Sequence, residues 1–571
     1  MTTLDVQSAD LVAGEADRVA EAPSARPSVA VFGSGRHLAL RPTRLQVVLW
    51  AAMLLAAVAL TGRGLGAIPL GYYRDDADYV VLARSLFHAP AYGLTVYGNP
   101  RPGDTPFPFG YPLIIAPLQE IPALAIEGPR MLSLIATLVN AALLFWGWPL
   151  LMGNRSPLWA LSVSALHTLS PQVIGQASHI LTEPIFMTLV LAVLILAQRI
   201  AVGAGGRAHG VLMGLLLALT ISTRTIGFFV LGAAFLCILL ARRREAISPL
   251  IVAASSTVIA VSLMVAASSA DVRDLFPRQY VAMAGNVDRL GGVSAAAPEV
   301  PSGLSWWDYV TVRVRWVILP IAGSLDLEPH DSVLPRKIDV IGLSISLGCL
   351  AGFVLWVFRY GWTAYAAFTA IYFLALVFWP WSGRRYLYVI QPALFFAFLL
   401  GATAVASRIA SFVRIPVPPS SMRSYLGGAI AGLLLLCVTY ASFRDAGTRA
   451  YTGDLSERAG LLAALATPPT LLLSEEPVLD HVYSGMPTIG YPRTITPDKL
   501  LDYLEDRGVS TILVGPGIRW NETREREYST RGQEMGSALD RLLEQGYVAQ
   551  SVSSPDRMLR VYRVLRETRP G

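Results

Sequence analysis

Three carboxylates lie within four residues of the chain, at Asp75, Asp76 and Asp78. Adjacent carboxylates repel each other, so at least one should have a raised pKa or pair with a cation. The pattern suits a general base, or a metal-assisted site in which Asp75 and Asp76 hold a divalent ion. A solvated helix N-terminus explains it equally well, because capping and the helix dipole both favour Asp there.

A second acidic residue, Glu183, begins an apolar run and follows His179 by one helical turn. An ionisable residue at the end of a membrane span either has a function or extends its side chain to water, and the sequence leaves both alternatives open. We take Glu183 as a candidate catalytic residue and His179 as a candidate substrate-binding residue.

Arginines occupy two short segments between apolar runs, Arg224 in one and Arg384 with Arg385 in the other, where Tyr386 follows. A guanidinium group donates paired hydrogen bonds and keeps its charge, which suits a phosphate ligand. Each arginine alone is better explained as an anchor for lipid headgroups. Together with the carboxylates, the arginines indicate a pocket.

The elements that must position these residues are membrane helices. The chain has 571 residues, of which 53% are hydrophobic and 15% charged, with a mean hydropathy of +0.50. This composition excludes one water-soluble globule and a disordered chain. The ~20-residue criterion predicts about eleven spans. They lie at about 45–62, 129–152, 157–176, 180–201, 209–223, 225–241, 246–268, 338–358, 362–380, 385–406 and 425–442.

The net charge of +6 reflects membrane topology and not nucleic-acid binding, because the arginines flank apolar runs. We expect a disordered cytoplasmic tail over 1–40, a transmembrane domain over 41–442, and extracytoplasmic loops at 63–128 and 269–337. The second loop contains Trp306, Trp307 and a candidate interfacial helix at 309–322. This places the carboxylates and the arginines on the same outer face of a multi-pass protein of the bacterial inner membrane.

From about residue 443 the composition becomes that of a soluble domain, which an odd number of spans would export. Short apolar strands are predicted at 470–473 and 511–515, and amphipathic helices at 497–507 and 536–546. We therefore expect a small extracytoplasmic α/β domain over 443–571.

Carboxylates and arginines at an outer membrane surface suit a phosphorylated lipid together with a polar acceptor. The arginines would hold the phosphate leaving group of a lipid-borne sugar, while a carboxylate would deprotonate the acceptor hydroxyl. A lipid-borne donor is favoured because cytosolic nucleotide sugars do not reach this face.

The order of one span, a long acidic outer loop, many further spans and a soluble C-terminal domain resembles the GT-C integral-membrane glycosyltransferases. It is most similar to the branch of aminoarabinose transferases and protein O-mannosyltransferases. Their Asp-Glu-Ala-x-Tyr element matches the run from Asp75 to Tyr79, and an Ala-Arg pair follows at Arg84. A Pro-rich segment similar to the family's approach to the membrane runs over 108–112 and contains Tyr111.

This resemblance implies that Asp75 is the principal catalytic carboxylate, assisted by Asp76, with Glu183 as the second acidic site. It implies that Arg224 binds the donor phosphate, and it makes Tyr79, Arg84 and Tyr111 candidate substrate-binding residues. One departure concerns the aminoarabinose transferases, which tend to carry a lysine just before the Pro-rich segment. Here that position reads Asp-Thr-Pro-Phe over 104–107, which argues against the same sugar and acceptor.

The sequence thus predicts a glycosyltransferase that moves a sugar from a polyprenyl phosphate to an extracytoplasmic lipid, envelope glycan or protein. No cofactor is required, although a divalent metal at Asp75 and Asp76 remains open. The main alternative is a lipid-linked oligosaccharide flippase or another transporter, which should instead carry ionisable residues near the bilayer midplane. A third is a non-catalytic scaffold whose exported domain binds a partner.

Overall fold

The computed structural model describes residues 40–64, 70, 75–89, 92–94, 107–241, 244–275, 335–378, 384–412, 419–448, 458, 460–465, 470–492, 494–515, 530–554 and 559–565. Three predicted features lie outside these residues: the N-terminal tail, the tryptophans and candidate helix of the second loop, and the start of the Asp-Thr-Pro-Phe segment.

Within the described residues, every regular element before the C-terminal unit is a helix. The helices are α1 Arg44–Gly64, α2 Asp75–His88, α3 Gly110–Gln119, α4 Glu127–Trp146, α5 Trp148–Met152, α6 Pro157–Thr168, α7 Pro171–Ala177, α8 Thr182–Ala201, α9 Arg207–Thr223, α10 Phe228–Leu240 and α11 Ile247–Ala266. After the second loop follow α12 Pro335–Tyr360, α13 Ala364–Phe378, α14 Arg384–Leu387, α15 Gln391–Phe412 and α16 Pro419–Thr448.

Five helices of the described part are long and apolar enough to cross a membrane, and five shorter apolar helices accompany them. A helix satisfies its own backbone hydrogen bonds, which is what a segment needs in a hydrocarbon environment. Every predicted span coincides with a described helix or a pair of helices. The total of eleven spans stays a prediction.

The predicted span at 157–176 is not one continuous helix. Helix α6 ends at Thr168 and α7 begins at Pro171. A proline has no backbone N–H, and its ring collides with the carbonyl of the preceding turn, so a helix does not continue through it easily. Ser170 caps the new helix, because its Oγ accepts the Val173 amide at 3.2 Å. The apolar run alone did not reveal this break.

Helices α9 and α11 approach closely along a pair of glycines. A Cβ atom on Gly210 would collide with the backbone of Pro249, and one on Gly214 would collide with that of Ala253. Small residues four apart on one face are typical of tight packing between membrane helices. The contact holds the N-terminal half of α9 against α11, and Arg224 lies at the other end of α9.

The main apolar core lies among the long helices and is filled by large side chains such as Trp148, Phe186, Trp356, Phe368 and Phe396. A second apolar cluster lies around α2 and α3 and includes Val80, Leu86, Phe109 and Ile115. Helix α2 is therefore packed on its apolar side and is not a freely solvated segment.

The C-terminal unit, residues 458–565, is a mixed α/β structure. It consists of β1 Leu472–Ser474, α17 Pro477–Ser484, β2 Thr488–Gly490, α18 Pro497–Arg507, β3 Thr511–Val514, α19 Thr530–Glu544, β4 Val548–Ser553 and β5 Arg560–Val564. The strand order is β2-β1-β3-β5-β4, with β1 parallel to β2 and β3 and the other pairs antiparallel. The predicted strands near 470 and 511 and the helix at 497–507 are present, while α19 begins earlier than predicted.

Candidate functional site

Four charged residues form an ion-pair network, here named the charge cluster: Asp75, Glu183, Arg224 and Arg385. Three lie at helix ends, since Asp75 and Glu183 are in the first turns of α2 and α8 and Arg224 caps the C-terminus of α9. Helix dipoles favour acidic groups at N-termini and basic groups at C-termini. The helix ends thus supply part of the stabilisation of the cluster.

Arg385 joins the two carboxylates. Its Nη1 donates to Asp75 Oδ2 at 2.5 Å, and its Nε donates to Glu183 Oε1. The side chains of Asp75 and Arg385 are 25% and 24% exposed, respectively. A ligand in the surrounding solvent could therefore reach this pair.

Glu183 lies deeper and also accepts a second guanidinium. Arg224 Nη1 donates to Glu183 Oε1 at 2.6 Å and to Thr182 Oγ1 at 3.1 Å. The Glu183 side chain is only 1% exposed. It therefore does not extend to water, and an ionised carboxylate is stable there because two arginines compensate its burial.

Arg224 is held by aromatic rings as well as by charge. Its guanidinium carbon lies 5.8 Å from the ring centroid of Phe186 and 5.5 Å from that of Tyr386. Such cation–π contacts are attractive and restrict the side chain. Tyr386 in turn is fixed through its backbone carbonyl, which accepts the Tyr372 hydroxyl at 2.8 Å.

Tyr79 lies one turn after Asp75 on α2 and is buried beside the charge cluster. Burial, reinforced by the charge of Asp75, raises the pKa of its phenol well above the ordinary value, so the group stays protonated. Its ring meets that of the buried Tyr111 edge to face, with centroids 4.9 Å apart. Gly110, at the start of α3, lies directly against Ser222 at the end of α9.

The sequence also predicts site roles for Asp76, Arg84, His179 and Arg384. Asp76 is buried, and its Oδ1 accepts the Ala77 amide at 2.9 Å, whereas Arg84 is exposed on α2. His179 is buried between α7 and α8, and its Nδ1 lies 2.5 Å from Gly175 O. For Arg384 only the backbone position in α14 is described. The roles predicted for these residues stay predictions.

The described residues contain no group of three or more His, Cys, Asp or Glu side chains arranged to hold a metal ion. Asp75 is paired with a guanidinium, and Asp76 is buried and accepts the Ala77 amide. Within the described chain, the positive charge that faces Asp75 comes from arginine.

Sequence reasoning missed Thr182 and Phe186, which contact Arg224. Both lie in the first turns of α8: Thr182 directly precedes Glu183, and Phe186 follows it by three residues. Their proximity to an acidic residue at a span end was the available signal. Nothing local in the sequence indicated that Arg224, which follows α9, would lie against them.

No protein-family model and no curated protein matches the sequence. The chain is similar in structure to ArnT from Cupriavidus metallidurans bound to undecaprenyl phosphate, with 14% identity, a TM-score of 0.53, and coverage of 92% of this chain and 99% of that one. It is also similar to the apo oligosaccharyltransferase of Archaeoglobus fulgidus, with 11% identity, a TM-score of 0.52, and coverage of 91% of this chain and 74% of that one. The chain therefore shares its fold with these two proteins, and the sequence resemblance predicted a fold of this kind.

Proposed function

We propose that this chain is a glycosyltransferase that moves a sugar from a polyprenyl phosphate to an acceptor hydroxyl at the outer membrane surface. The observation that carries the proposal is the charge cluster, whose partly exposed Asp75 and Arg385 lie among the ends of apolar helices. The polyprenyl chain of the donor can lie against such helices in the membrane while its phosphate pairs with the guanidinium groups of the cluster. The similar ArnT structure, which holds undecaprenyl phosphate, supports this class of donor.

In this mechanism Arg224 and Arg385 hold the donor phosphate, and Asp75 acts as the general base. Asp75 accepts the proton of the acceptor hydroxyl, and the acceptor oxygen forms a bond to the anomeric carbon of the sugar. The bond from that carbon to the phosphate oxygen breaks, and polyprenyl phosphate leaves with the bonding electron pair. Glu183 holds both arginines in place.

The charge balance of the cluster fits this sequence of events. Two carboxylates and two guanidiniums cancel each other before the reaction. The leaving phosphate gains roughly one further negative charge as a monoester. At the same time Asp75 becomes neutral by taking the proton, which frees Arg385 to pair with the phosphate. The negative charge thus moves from one partner of Arg385 to the other.

The proposal includes the finer predictions made from the sequence. In this proposal the chain crosses a bacterial inner membrane eleven times. The site and the C-terminal unit both lie on the extracytoplasmic side. The acceptor is a lipid, an envelope glycan or a protein, and no cofactor is required. The tyrosines Tyr79, Tyr111 and Tyr386 are proposed to contact the sugar or the acceptor.

The test is sugar transfer by the purified full chain in vesicles. The donors are a mixed extract of radiolabelled polyprenyl-phosphate sugars and, in parallel, nucleotide sugars. We expect release of polyprenyl phosphate and transfer or hydrolysis of the sugar only with the lipid donors. Vesicles without the protein provide the control.

The same preparation separates the alternative classes. Movement of intact lipid-linked sugar between leaflets, without release of polyprenyl phosphate, would replace the enzyme with a transporter. A folded chain that does neither, but retains a partner through its C-terminal unit, would support the scaffold.

A further inference from the structure

Helix α17 of the C-terminal unit packs on helix α2, the helix that carries Asp75. Leu479 is buried, and it belongs to the same apolar cluster as Leu70, Ala77 and Val80. The neighbouring Val482 packs against this cluster as well. A part of the C-terminal unit is therefore integral to the packing around α2.

Tyr483, near the end of α17, forms a specific bond next to the start of α2. Its hydroxyl donates to Leu70 O at 3.0 Å, five residues before Asp75. Burial, followed by the charge of Asp76, raises the pKa of Tyr483 to about 12. Tyr483 and the buried Leu479 pack in the apolar cluster that includes Ala77, which lies in the first turn of α2. The first turn of α2 therefore lies against α17.

Helix α17 is itself fixed firmly within its own unit. Arg458 donates to Asp480 through Nε at 3.0 Å and through Nη2 at 2.6 Å, and Ser474 donates to the same carboxylate. The side chains of Arg458 and Asp480 are only 4% and 3% exposed. A paired, two-point bond of this kind restrains rotation of the helix on the sheet.

The other end of α2 is bonded to residues that lie outside the C-terminal unit. Ser269 donates its amide to Leu86 O at 3.0 Å and its hydroxyl to Ser85 O at 3.1 Å. Gly93 donates its amide to Ser85 Oγ at 3.1 Å. The first turn of α2 has different supports: Arg385 on the side of the charge cluster and α17 on the other.

We propose that the C-terminal unit aligns Asp75 by holding the first turn of α2 through α17, with Tyr483 as a positioning residue. This inference rests on the proposed function for its catalytic consequence. Tyr483 itself touches no reacting group. Loosening the first turn changes the direction of the Asp75 carboxylate, while Glu183 on α8 and Arg224 at the end of α9 keep their places.

The experiment compares Tyr483→Phe with Tyr503→Phe in the full chain. Tyr503 is a matched control because it is also half-buried in the C-terminal unit and its hydroxyl donates to Gly490 O at 3.2 Å, away from α2. For Tyr483→Phe we expect kcat to fall about 2- to 12-fold, as for the loss of one neutral hydrogen bond. The donor KM should be unchanged, because the phosphate-holding arginines do not move. Leu479→Ala should have the same signature with a larger effect.

Amide hydrogen exchange supplies a second readout that needs no activity. Exchange over 75–80 should become faster in Tyr483→Phe and stay unchanged in Tyr503→Phe. Equal losses of kcat in both variants, or faster exchange with no loss of kcat, would overturn the positioning role. Unchanged exchange in Tyr483→Phe would overturn it as well. An inactive wild-type chain would refute the proposed function, whereas the exchange data would still decide whether α17 holds α2.

Discussion

Two buried ion-pair systems in this protein have similar chemistry but different access. In the C-terminal unit, Arg458 and Asp480 pair one to one and are almost fully enclosed. In the charge cluster, Arg385 is shared between Asp75 and Glu183, and a quarter of its side chain is exposed. The enclosed pair has no room for a ligand and stabilises the fold. Arg385 stays paired with Glu183 when a ligand displaces Asp75.

The largest expected effect comes from Asp75→Asn. Asn keeps the size of the side chain and can still accept a hydrogen bond from Arg385, so the protein should fold and insert normally. It cannot take the proton of the acceptor, and kcat should fall about 10²- to 10⁴-fold. The measurement is the rate of sugar transfer in vesicles.

The matched control for this substitution is Asp78→Asn, which makes the same change in the same helical turn. Asp78 is not an ion-pair partner of Arg385 in the described structure. We expect near wild-type transfer from this variant. A fully active Asp75→Asn protein would remove the base from the mechanism.

The second effect is on stability and concerns the enclosed pair. Asp480→Asn leaves Arg458 buried without a counter-charge, which should cost about 3–5 kcal/mol of unfolding free energy. Limited proteolysis of the full chain under increasing urea measures this loss. Asp540→Asn is the control, because its pair with Arg560 spans 3.5 Å and Asp540 is 61% exposed. Such a surface pair contributes about 0–1 kcal/mol. Equal losses in the two variants would contradict the structural role of the enclosed pair.

The third effect is on donor binding. Arg224→Ala removes a charge-assisted bond to the phosphate, and the donor KM should rise about 10- to 100-fold with a smaller change in kcat. Arg207, at the opposite end of α9, bonds Ser248 at 3.1 Å and provides the control, Arg207→Ala. A change confined to kcat would assign Arg224 to a different step.

The smallest effect concerns metal ions. Because a guanidinium already faces Asp75, a chelator such as EDTA should change the transfer rate less than about twofold. The measurement is the transfer rate with and without EDTA, followed by addition of magnesium or manganese. Loss of activity that these ions restore would favour the metal alternative at Asp75 and Asp76.

The sequence predicted where the charged residues of the site lie along the chain. Asp75, Glu183, Arg224 and Arg385 each stand at the edge of an apolar run, where a charge is conspicuous and topology assigns it to one membrane face. The fold followed from the same runs and from the short acidic motif. These signals are local, because each depends on a residue and its near neighbours.

The pairing within the site could not be predicted in this way. Arg385 contacts residues that are 202 and 310 positions away in the chain, and its sharing between two carboxylates depends on how several helices pack. The packing of α17 on α2 depends on where the C-terminal unit meets the first loop. The contact of Tyr483 with Leu70 joins residues 413 positions apart. Tertiary packing decides all three features.

The most direct test of the account is a structure of the reconstituted full chain with polyprenyl phosphate bound. We predict that the phosphate lies within hydrogen-bonding distance of both Arg224 and Arg385, and that the bond between Arg385 and Asp75 is lengthened or lost. A phosphate bound elsewhere, with the charge cluster unchanged, would contradict the assignment of this cluster as the donor site.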